Sequence, residues 1–276
     1  MIEVGRTVTA GIDRITPQGA YLTDGERDVL LPSKQVPQGA KKGDTVRVFI
    51  YRDSKDRIIS TTVQPLIELH EVRRLTVKEM TGIGAFLDMG LERDLLLPFH
   101  EMTLRPEVGD NVLVAMYTDK SGRLCATEKI YAYLKDDSMY KKDDEVTGTL
   151  YEISRNFGAF VAVDDIFSGL IPAREFGGEA KVGEKVTCRV TGVQPDGRLN
   201  LSLRKKAYLQ INEDAEKIFE MLKGEGHFDF TDKADPELIK EKTGLSKAAF
   251  KRAVGHLLKT RKIEIKEDGI YERDQH

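Results

Sequence analysis

The sequence predicts a mostly β protein, with three tandem five-stranded barrels followed by a C-terminal α+β domain of the winged-helix type. A Gly-Ala-aromatic-aliphatic motif begins at Gly19, Gly84 and Gly158, at intervals of about 65 and 74 residues, which indicates an internal repeat. Each copy is followed by an aliphatic run closed by proline, at Pro32, Pro98 and Pro172. After the third copy the apolar period changes from that of strands to that of helices.

The first repeat shows the strand pattern in order. Runs of β-branched and aromatic residues predict five strands. The second ends near Thr23, and the other four span 4–10, 29–31, 45–52 and 58–61. A break after the third strand, at Pro32, fits a small closed barrel. The other repeats keep this outline, and the stretch from Ile130 to Asp144, which lacks a clean period, is predicted to be a linker and hinge. The expected domains are 1–65, 66–141, 142–204 and 205–276.

The last domain contains three predicted helices. Ala215, Ile218, Phe219 and Leu222 share one face of a helix that Gly224 is expected to end, and Asp235 starts the second helix. Ser246 caps a third helix. Its predicted buried stripe consists of Phe250, Val254, Leu257 and Leu258. Two short strands follow, and this order is typical of a winged helix, whose last helix offers its polar face to nucleic acid.

Composition excludes several classes of protein. No apolar run reaches the roughly 18 residues of a membrane-spanning helix, and the first residues lack the pattern of a signal peptide. We therefore expect a cytoplasmic protein without a membrane partner. Cys125 and Cys188 are expected to be buried thiols. A net charge of −3 means that any nucleic-acid affinity must come from local patches and stacking.

Two aromatic residues are the first candidate binding residues. Phe157 and Phe160 flank the Gly-Ala of the third repeat, on the face where five-stranded barrels of this kind bind single strands. Exposed rings there would stack bases, provided that the chain bends at Gly158. Alternatively, Phe160 is a core residue, because Tyr21 and Phe86 recur at its position.

Basic residues supply the remaining candidates. An arginine begins the fifth strand of each repeat, and Asp53 and Asp119 lie four residues before the first two of these, Arg57 and Arg123. In these two repeats the acid is predicted to hold the guanidinium as a structural pair. Gln194 replaces the acid in the third repeat, so Arg198 is predicted to be free for phosphate. Arg155, Arg189 and Arg204 are phosphate-binding or simply solvated.

A basic face is also predicted on the last helix. It consists of Lys247, Lys251 and Arg252, and it serves either nucleic-acid binding or solubility. No histidine, cysteine or carboxylate pattern indicates catalysis or a metal site. We therefore predict that the protein is not an enzyme and that it has no catalytic residues, no metal and no cofactor.

The third repeat resembles the S1 RNA-binding domain family. The resemblance covers nearly the whole repeat, from Val146-Thr147-Gly148 through Asn156-Phe157-Gly158-Ala159-Phe160-Val161 to Arg198-Leu199-Asn200-Leu201-Ser202-Leu203. The first two repeats resemble divergent members. The whole chain is similar to the conserved virulence factor B (YitL-like) family of bacterial RNA-binding proteins.

This resemblance implies an oligonucleotide-binding (OB) barrel in each repeat and binding of single-stranded RNA without strict sequence demand. It places Phe157 and Phe160 on the two stacking aromatics of the S1 family and Arg198 on its basic contact. Pro172 occupies a place where many S1 domains carry histidine, and Gln194 replaces a common aspartate. The first two repeats lack the first aromatic, and they look more like spacers or protein-contact modules.

The leading hypothesis is therefore a non-enzymatic protein that binds single-stranded RNA and regulates gene expression after transcription, with one composite site formed by the third barrel and the winged helix. An alternative is a DNA-binding transcription regulator that acts through the winged helix, with the barrels as protein-interaction modules. A third hypothesis is an adapter that docks on the ribosome or RNA polymerase.

Overall fold

A computed structural model describes residues 1–178, 180–204 and 207–273 of the chain. The chain forms two compact units, Met1–Leu203 and Arg204–His276. The first unit contains three closed barrels of five strands each, and the second contains helices with a small sheet. The predicted fold class is confirmed.

The first barrel has the strand order β1-β2-β3-β5-β4. Its strands are β1 (Thr7–Thr16), β2 (Gly19–Thr23), β3 (Asp28–Pro32), β4 (Thr45–Arg52) and β5 (Ile58–Thr61). Strands β3 and β5 pair in parallel and close the barrel, whereas the other pairs are antiparallel. Alternate residues of these strands fill the interior, with Leu22, Leu31 and Val48 fully buried.

The second and third barrels repeat this arrangement. The second comprises β6 (Val72–Met80), β7 (Gly84–Leu87), β8 (Leu95–Pro98), β9 (Asn111–Thr118) and β10 (Leu124–Thr127). The third comprises β11 (Glu145–Ser154), β12 (Gly158–Val163), β13 (Phe167–Pro172), β14 (Lys185–Val193) and β15 (Leu199–Ser202). In all three barrels the register of the first strand shifts by one residue against the second, which coils the strand around the barrel.

The glycine of the repeated motif begins the second strand of each barrel. Gly19, Gly84 and Gly158 have φ angles of 147°, 154° and 115°. A Cβ atom on Gly158 would lie 2.0 Å from the carbonyl oxygen of Ile171 on the neighbouring strand, and the other two glycines are equally crowded. Only glycine permits both this backbone conformation and this close approach, which explains why the motif recurs.

The barrels of the first unit are joined by packed seams. We call the apolar cluster between the second and third barrels the 2–3 seam; it contains Val72, Leu113, Ala115, Ile130, Tyr151 and Ala162. The Arg74 Nε atom donates to the Asp165 carboxylate across this seam at 2.7 Å. Ile130 is fully buried there, and Tyr133 and Leu134 pack against it. The expected hinge is therefore wrong for the first part of the 130–144 stretch, which is fixed by packing.

The second unit has the winged-helix order of elements. These are α1 (Ala207–Glu225), β16 (His227–Phe228), α2 (Pro236–Thr243), α3 (Lys247–Lys259), β17 (Ile263–Ile265) and β18 (Ile270–Glu272). The predicted cap is confirmed, since the Ser246 hydroxyl accepts from the Ala249 N–H at 3.2 Å. The sequence was wrong about Leu258, which is exposed on α3, and about Gly224, because α1 continues to Glu225 and Gly226 takes the positive φ.

Both cysteines are buried and unpaired, as expected. Burial raises the pKa of the Cys125 and Cys188 thiols to about 11, so neither is a reactive thiolate at neutral pH. None of the helices in the described residues combines the length and apolar character needed to cross a membrane.

Candidate nucleic-acid interface

Phe157 stands at the tip of the third barrel. It lies in the turn between β11 and β12, and 64% of the residue is exposed. The turn itself is fixed, because the Phe157 N–H donates to the Ser154 hydroxyl at 3.4 Å and its carbonyl accepts from the Ala173 N–H at 3.0 Å. A rigid backbone thus presents a ring to solvent, which costs little entropy when a base stacks on it.

Phe160 belongs to a cluster of rings outside the barrel core. Its neighbours Ala159 and Val161 point into the core, so Phe160 points outward from β12 and is half-buried. Its ring centroid lies 5.8 Å from that of Tyr131, nearly perpendicular to it, and 6.1 Å from that of Tyr151. Phe160 is therefore neither a barrel-core residue nor a free platform, because the Tyr131 ring meets it on the outer surface.

Arg198 has partners that the sequence did not reveal. The predicted free guanidinium is wrong, because its Nε atom donates to the Asp196 carboxylate at 2.7 Å and its Nη1 atom donates to the Tyr131 hydroxyl. The bond from Arg198 lowers the pKa of Asp196, so the pair is ionised at neutral pH. Phe160, Tyr131, Arg198 and Asp196 form one polar-aromatic group, which we call the Tyr131 cluster.

Arg155 and Arg189 differ in their surroundings. Arg155 is exposed in the same turn as Phe157, and no ion pair restrains it within the part of the chain that the structure describes. Arg189 is half-buried on β14, and its Nη1 atom donates to the Asp143 carboxylate at 3.0 Å. Arg155 is thus the cation that accompanies the exposed ring, whereas Arg189 is held in an ion pair.

The arginines at the start of the fifth strand are held differently in the first two barrels. Arg57 pairs with Asp53 as predicted, with its Nη2 atom 2.6 Å from the carboxylate. The Asp119 carboxylate accepts from the backbone N–H of Arg123 at 3.0 Å and from the backbone N–H and hydroxyl of Ser121 at 2.8 and 2.7 Å. The Arg123 guanidinium instead lies 3.5 Å from Asp56 of the first barrel. The prediction of an Asp119 side-chain pair is therefore wrong, because an ion pair between barrels replaces it.

The basic face of the winged-helix unit is smaller than predicted. Lys251 and Arg252 are exposed on α3, but Lys247 is half-buried and donates to the carbonyl oxygens of Lys233 and Ala234 at 3.3 and 2.8 Å. Lys247 thus holds the loop before α2, and two of the three predicted cations remain exposed on α3. Arg204 is exposed where the second unit begins.

The winged-helix unit also carries a pair of rings that the sequence analysis missed. The His227 and Tyr271 rings are stacked 5.1 Å apart across β16 and β18, and the Lys266 ammonium lies 4.5 Å from the centre of the Tyr271 ring. The sequence gives little indication of this ring pair, because β16 has only two residues. Stacked rings beside an ammonium group can meet a base or stabilise the sheet.

Closed five-stranded barrels with outward aromatic and arginine side chains, followed by a winged-helix unit, define a protein built from nucleic-acid-binding domains. Models of known families match each part: the S1 domain at residues 4–63 and 71–129, the second domain of the virulence regulatory factor CvfB at 130–205, and the CvfB-like winged helix domain at 216–271. The chain belongs to the conserved virulence factor B family.

Three similar proteins illustrate the relationship. The uncharacterized protein YitL of Bacillus subtilis is 34% identical and aligns over 98% of this chain and 93% of its own length. Conserved virulence factor B of Staphylococcus haemolyticus is 31% identical over 81% of this chain and 78% of its own. A crystal structure of a multidomain protein with nucleic acid binding domains from Streptococcus pneumoniae is 24% identical, covers 98% of each chain and has a TM-score of 0.48.

The match also changes the view of the first two repeats. Their sequences resemble divergent S1 domains, and the stronger resemblance lies in the third repeat, but the S1 model matches the first two. The third is matched by a model specific to the family. The first two barrels therefore match the S1 domain family even though Gln18 and Ile83 stand at the position of the first aromatic.

Proposed function

We propose that this protein is a non-enzymatic regulator that binds single-stranded RNA and controls gene expression after transcription. The observation that carries the proposal is the exposed Phe157 ring on a fixed turn of a barrel, with Arg155 exposed in the same turn. A ring on this kind of face stacks bases of any sequence, and the nearby cation contributes attraction to phosphate. The net charge of −3 favours such local contacts over broad attraction to a duplex.

The test compares the intact chain with Phe157→Ala. Binding to a fluorescent RNA strand of about 20 nucleotides, longer than one OB-fold site of roughly 4–16 nucleotides, is followed by anisotropy at several salt concentrations. We expect the substitution to weaken binding about 5- to 150-fold, since one base stacks on the ring with roughly 1–3 kcal/mol. Ile15→Ala, which changes an apolar residue of the first barrel that is 47% exposed, is the matched control and should bind like the unaltered chain.

Unchanged RNA binding by Phe157→Ala would remove the stacking role. Absence of binding to any free strand by the unaltered chain would overturn the proposal itself and favour an adapter that docks on the ribosome or RNA polymerase. The hypothesis that the third barrel and the winged helix bind one strand together stays a prediction.

A DNA-binding regulator is the second candidate function. The observation that favours it is the exposed pair Lys251 and Arg252 on α3, the helix that enters the major groove in many winged-helix proteins. The double variant Lys251→Ala/Arg252→Ala separates the two functions. A loss confined to duplex DNA would favour this candidate, whereas a loss confined to RNA would support the leading proposal.

A further inference from the structure

The connector between the second and third barrels continues beyond the 2–3 seam onto the outer surface of the third barrel. Ile130, at its start, is fully buried in that seam. Further along, the Lys135 N–H donates to the Ile166 carbonyl oxygen, and the Lys135 carbonyl oxygen accepts from the Ser168 N–H, each at 2.8 Å. Residues 131–136, which we call the strap, are therefore fixed to the third barrel beside β13.

The end of the strap packs on the turn between β14 and β15. A Cβ atom on Gly197 in this turn would lie 1.8 Å from the Asp136 carbonyl oxygen, and Gly197 has a φ of 86°. Glycine permits both this conformation and this close approach. The strap is thus held at β13 and again at the turn that carries Arg198.

Tyr131 is the strap residue that covers the outer face of the third barrel. Its ring meets the Phe160 ring edge-on, with centroids 5.8 Å apart, and its hydroxyl accepts from the Arg198 Nη1 atom. The S1 resemblance assigns these same two partners to base stacking and to a basic contact. The chain itself thus supplies a ring and an acceptor oxygen where a strand would place a base and a phosphate.

The contact of Tyr131 is built so that it can open locally. Tyr131 is 46% exposed, whereas Ile130 beside it is fully buried. Rotation of the Tyr131 side chain toward solvent would free the Phe160 ring and the Nη1 atom of Arg198, while the seam and the pairing of Lys135 stay in place. Two side-chain contacts, rather than the packing of the connector, therefore set the balance between a closed and an open face.

We propose that the strap is an autoinhibitory element, in which Tyr131 competes with an RNA strand for the outer face of the third barrel and must turn away before the strand occupies it. The inference rests on the proposed function, because it concerns a strand that first meets the Phe157 ring. That ring is 64% exposed, so it is accessible while the face is closed. The apparent affinity of the face is then its intrinsic affinity reduced by the fraction of open molecules.

Removal of the Tyr131 side chain tests the competition. In the full chain, Tyr131→Ala should bind the fluorescent RNA strand about 5- to 50-fold more tightly, because the strand no longer displaces one ring pair and one hydrogen bond. Tyr131→Phe keeps the ring and should give a smaller gain. Anisotropy titrations at one salt concentration compare these variants with the unaltered chain.

Tyr140→Ala is the matched control. Tyr140 belongs to the same connector and makes the same kinds of contact, but with other partners. Its ring meets Phe167 edge-on at 6.3 Å, and its hydroxyl donates to the Asp164 carboxylate at 2.5 Å. Tyr140→Ala should therefore bind RNA like the unaltered chain, and an equal gain in this control would contradict a specific role of Tyr131.

The double variant Tyr131→Ala/Phe160→Ala shows whether the gain comes from the uncovered face. It should bind more weakly than Tyr131→Ala, because the ring that Tyr131 had covered is gone. If the double variant does not fold, Tyr131→Ala/Arg198→Ala replaces it, since the Arg198 side chain is 40% exposed. A full gain in whichever double variant folds would show that Tyr131→Ala merely loosens the connector, and it would overturn the inference.

The remaining outcomes separate the inference from the proposed function. If the unaltered chain binds RNA through Phe157 and Tyr131→Ala binds no better, the inference alone is wrong, and weaker binding would make Tyr131 itself a contact of the strand. If Tyr131→Ala binds RNA and the unaltered chain does not, the proposed function of the unaltered chain is wrong and the inference stands. Absence of binding by both proteins would overturn both.

Discussion

The Arg198 side chain shows how one neighbouring carboxylate controls a cation on the binding face. Asp196 lies two residues earlier in the β14–β15 turn and accepts from the Arg198 Nε atom at 2.7 Å. Because the pKa of Asp196 is lowered by this bond, the carboxylate stays ionised at neutral pH. The ion pair is lost only when the pH falls through that lowered value and Asp196 becomes protonated. A strand that uses Arg198 must therefore displace Asp196.

Asp196→Asn is accordingly expected to strengthen RNA binding. The substitution removes a negative charge from the proposed face and frees Arg198 for phosphate, so the slope of log affinity against log salt should steepen by about 0.7 for one added contact. Anisotropy titrations at several salt concentrations measure the slope. The matched control is Asp53→Asn, which frees the equivalent Arg57 in the first barrel and should leave the slope unchanged. Equal slopes for all three proteins would show that Arg198 does not contact phosphate.

Local sequence could predict some of the site residues but not their partners. Phe157 could be identified because a glycine motif fixes its turn. Tyr131 could not, because it reaches Arg198 over 67 residues of chain, and that contact depends on how the connector packs in the 2–3 seam. Asp196 was overlooked because the two earlier repeats place their acid four residues, not two, before the arginine.

At the scale of elements, the glycine that opens the second strand determines whether each barrel can form. Gly158 combines a φ of 115° with backbone contacts that leave no room for a Cβ atom, the nearest being the Ile171 carbonyl oxygen. An L-residue there would be strained and would push β12 away from β13. Phe157 lies immediately before this glycine and Phe160 lies on β12, so the element that stabilises the barrel also positions the proposed site.

Gly158→Ala should therefore destabilise the third barrel, by at least about 1–3 kcal/mol from backbone strain alone. Urea unfolding of the intact chain, followed by amide hydrogen exchange to assign the loss to this barrel, measures the change. Gly192→Ala on β14 is the matched control, because a Cβ atom there meets nothing within 4 Å. Similar unfolding midpoints for the two variants would contradict the steric role of Gly158.

The strands could largely be predicted from the sequence, whereas the connector between the second and third barrels could not. Strands leave an alternating apolar pattern because one face is buried in the barrel. The stretch from Ile130 to Asp144 has no such period, because Ile130, Tyr133 and Leu134 pack individually against two barrels. Irregular packing of this kind looks like a flexible linker in a sequence.

At the scale of the first unit, the seams bring the binding faces of neighbouring barrels into a fixed relation. Arg74 on β6 spans the 2–3 seam, where it donates to Asp165 at 2.7 Å and also to the Thr149 hydroxyl. The apolar residues of the seam are almost fully buried. The second and third barrels are thus packed against each other rather than joined by a flexible linker.

A rigid relation between two sites favours a strand long enough to reach both. If the second barrel and the Phe157 turn of the third barrel bind one strand, a long RNA should bind more tightly than a short one by up to about 10²–10⁴-fold, because the second contact becomes intramolecular. Arg74→Ala, which loosens the seam, should reduce this advantage and leave binding of a short strand unchanged. Arg73→Ala, at the neighbouring exposed residue, is the matched control. Anisotropy with a series of strand lengths measures the advantage for each protein, and an equal loss for short and long strands in Arg74→Ala would show that the barrels bind RNA independently.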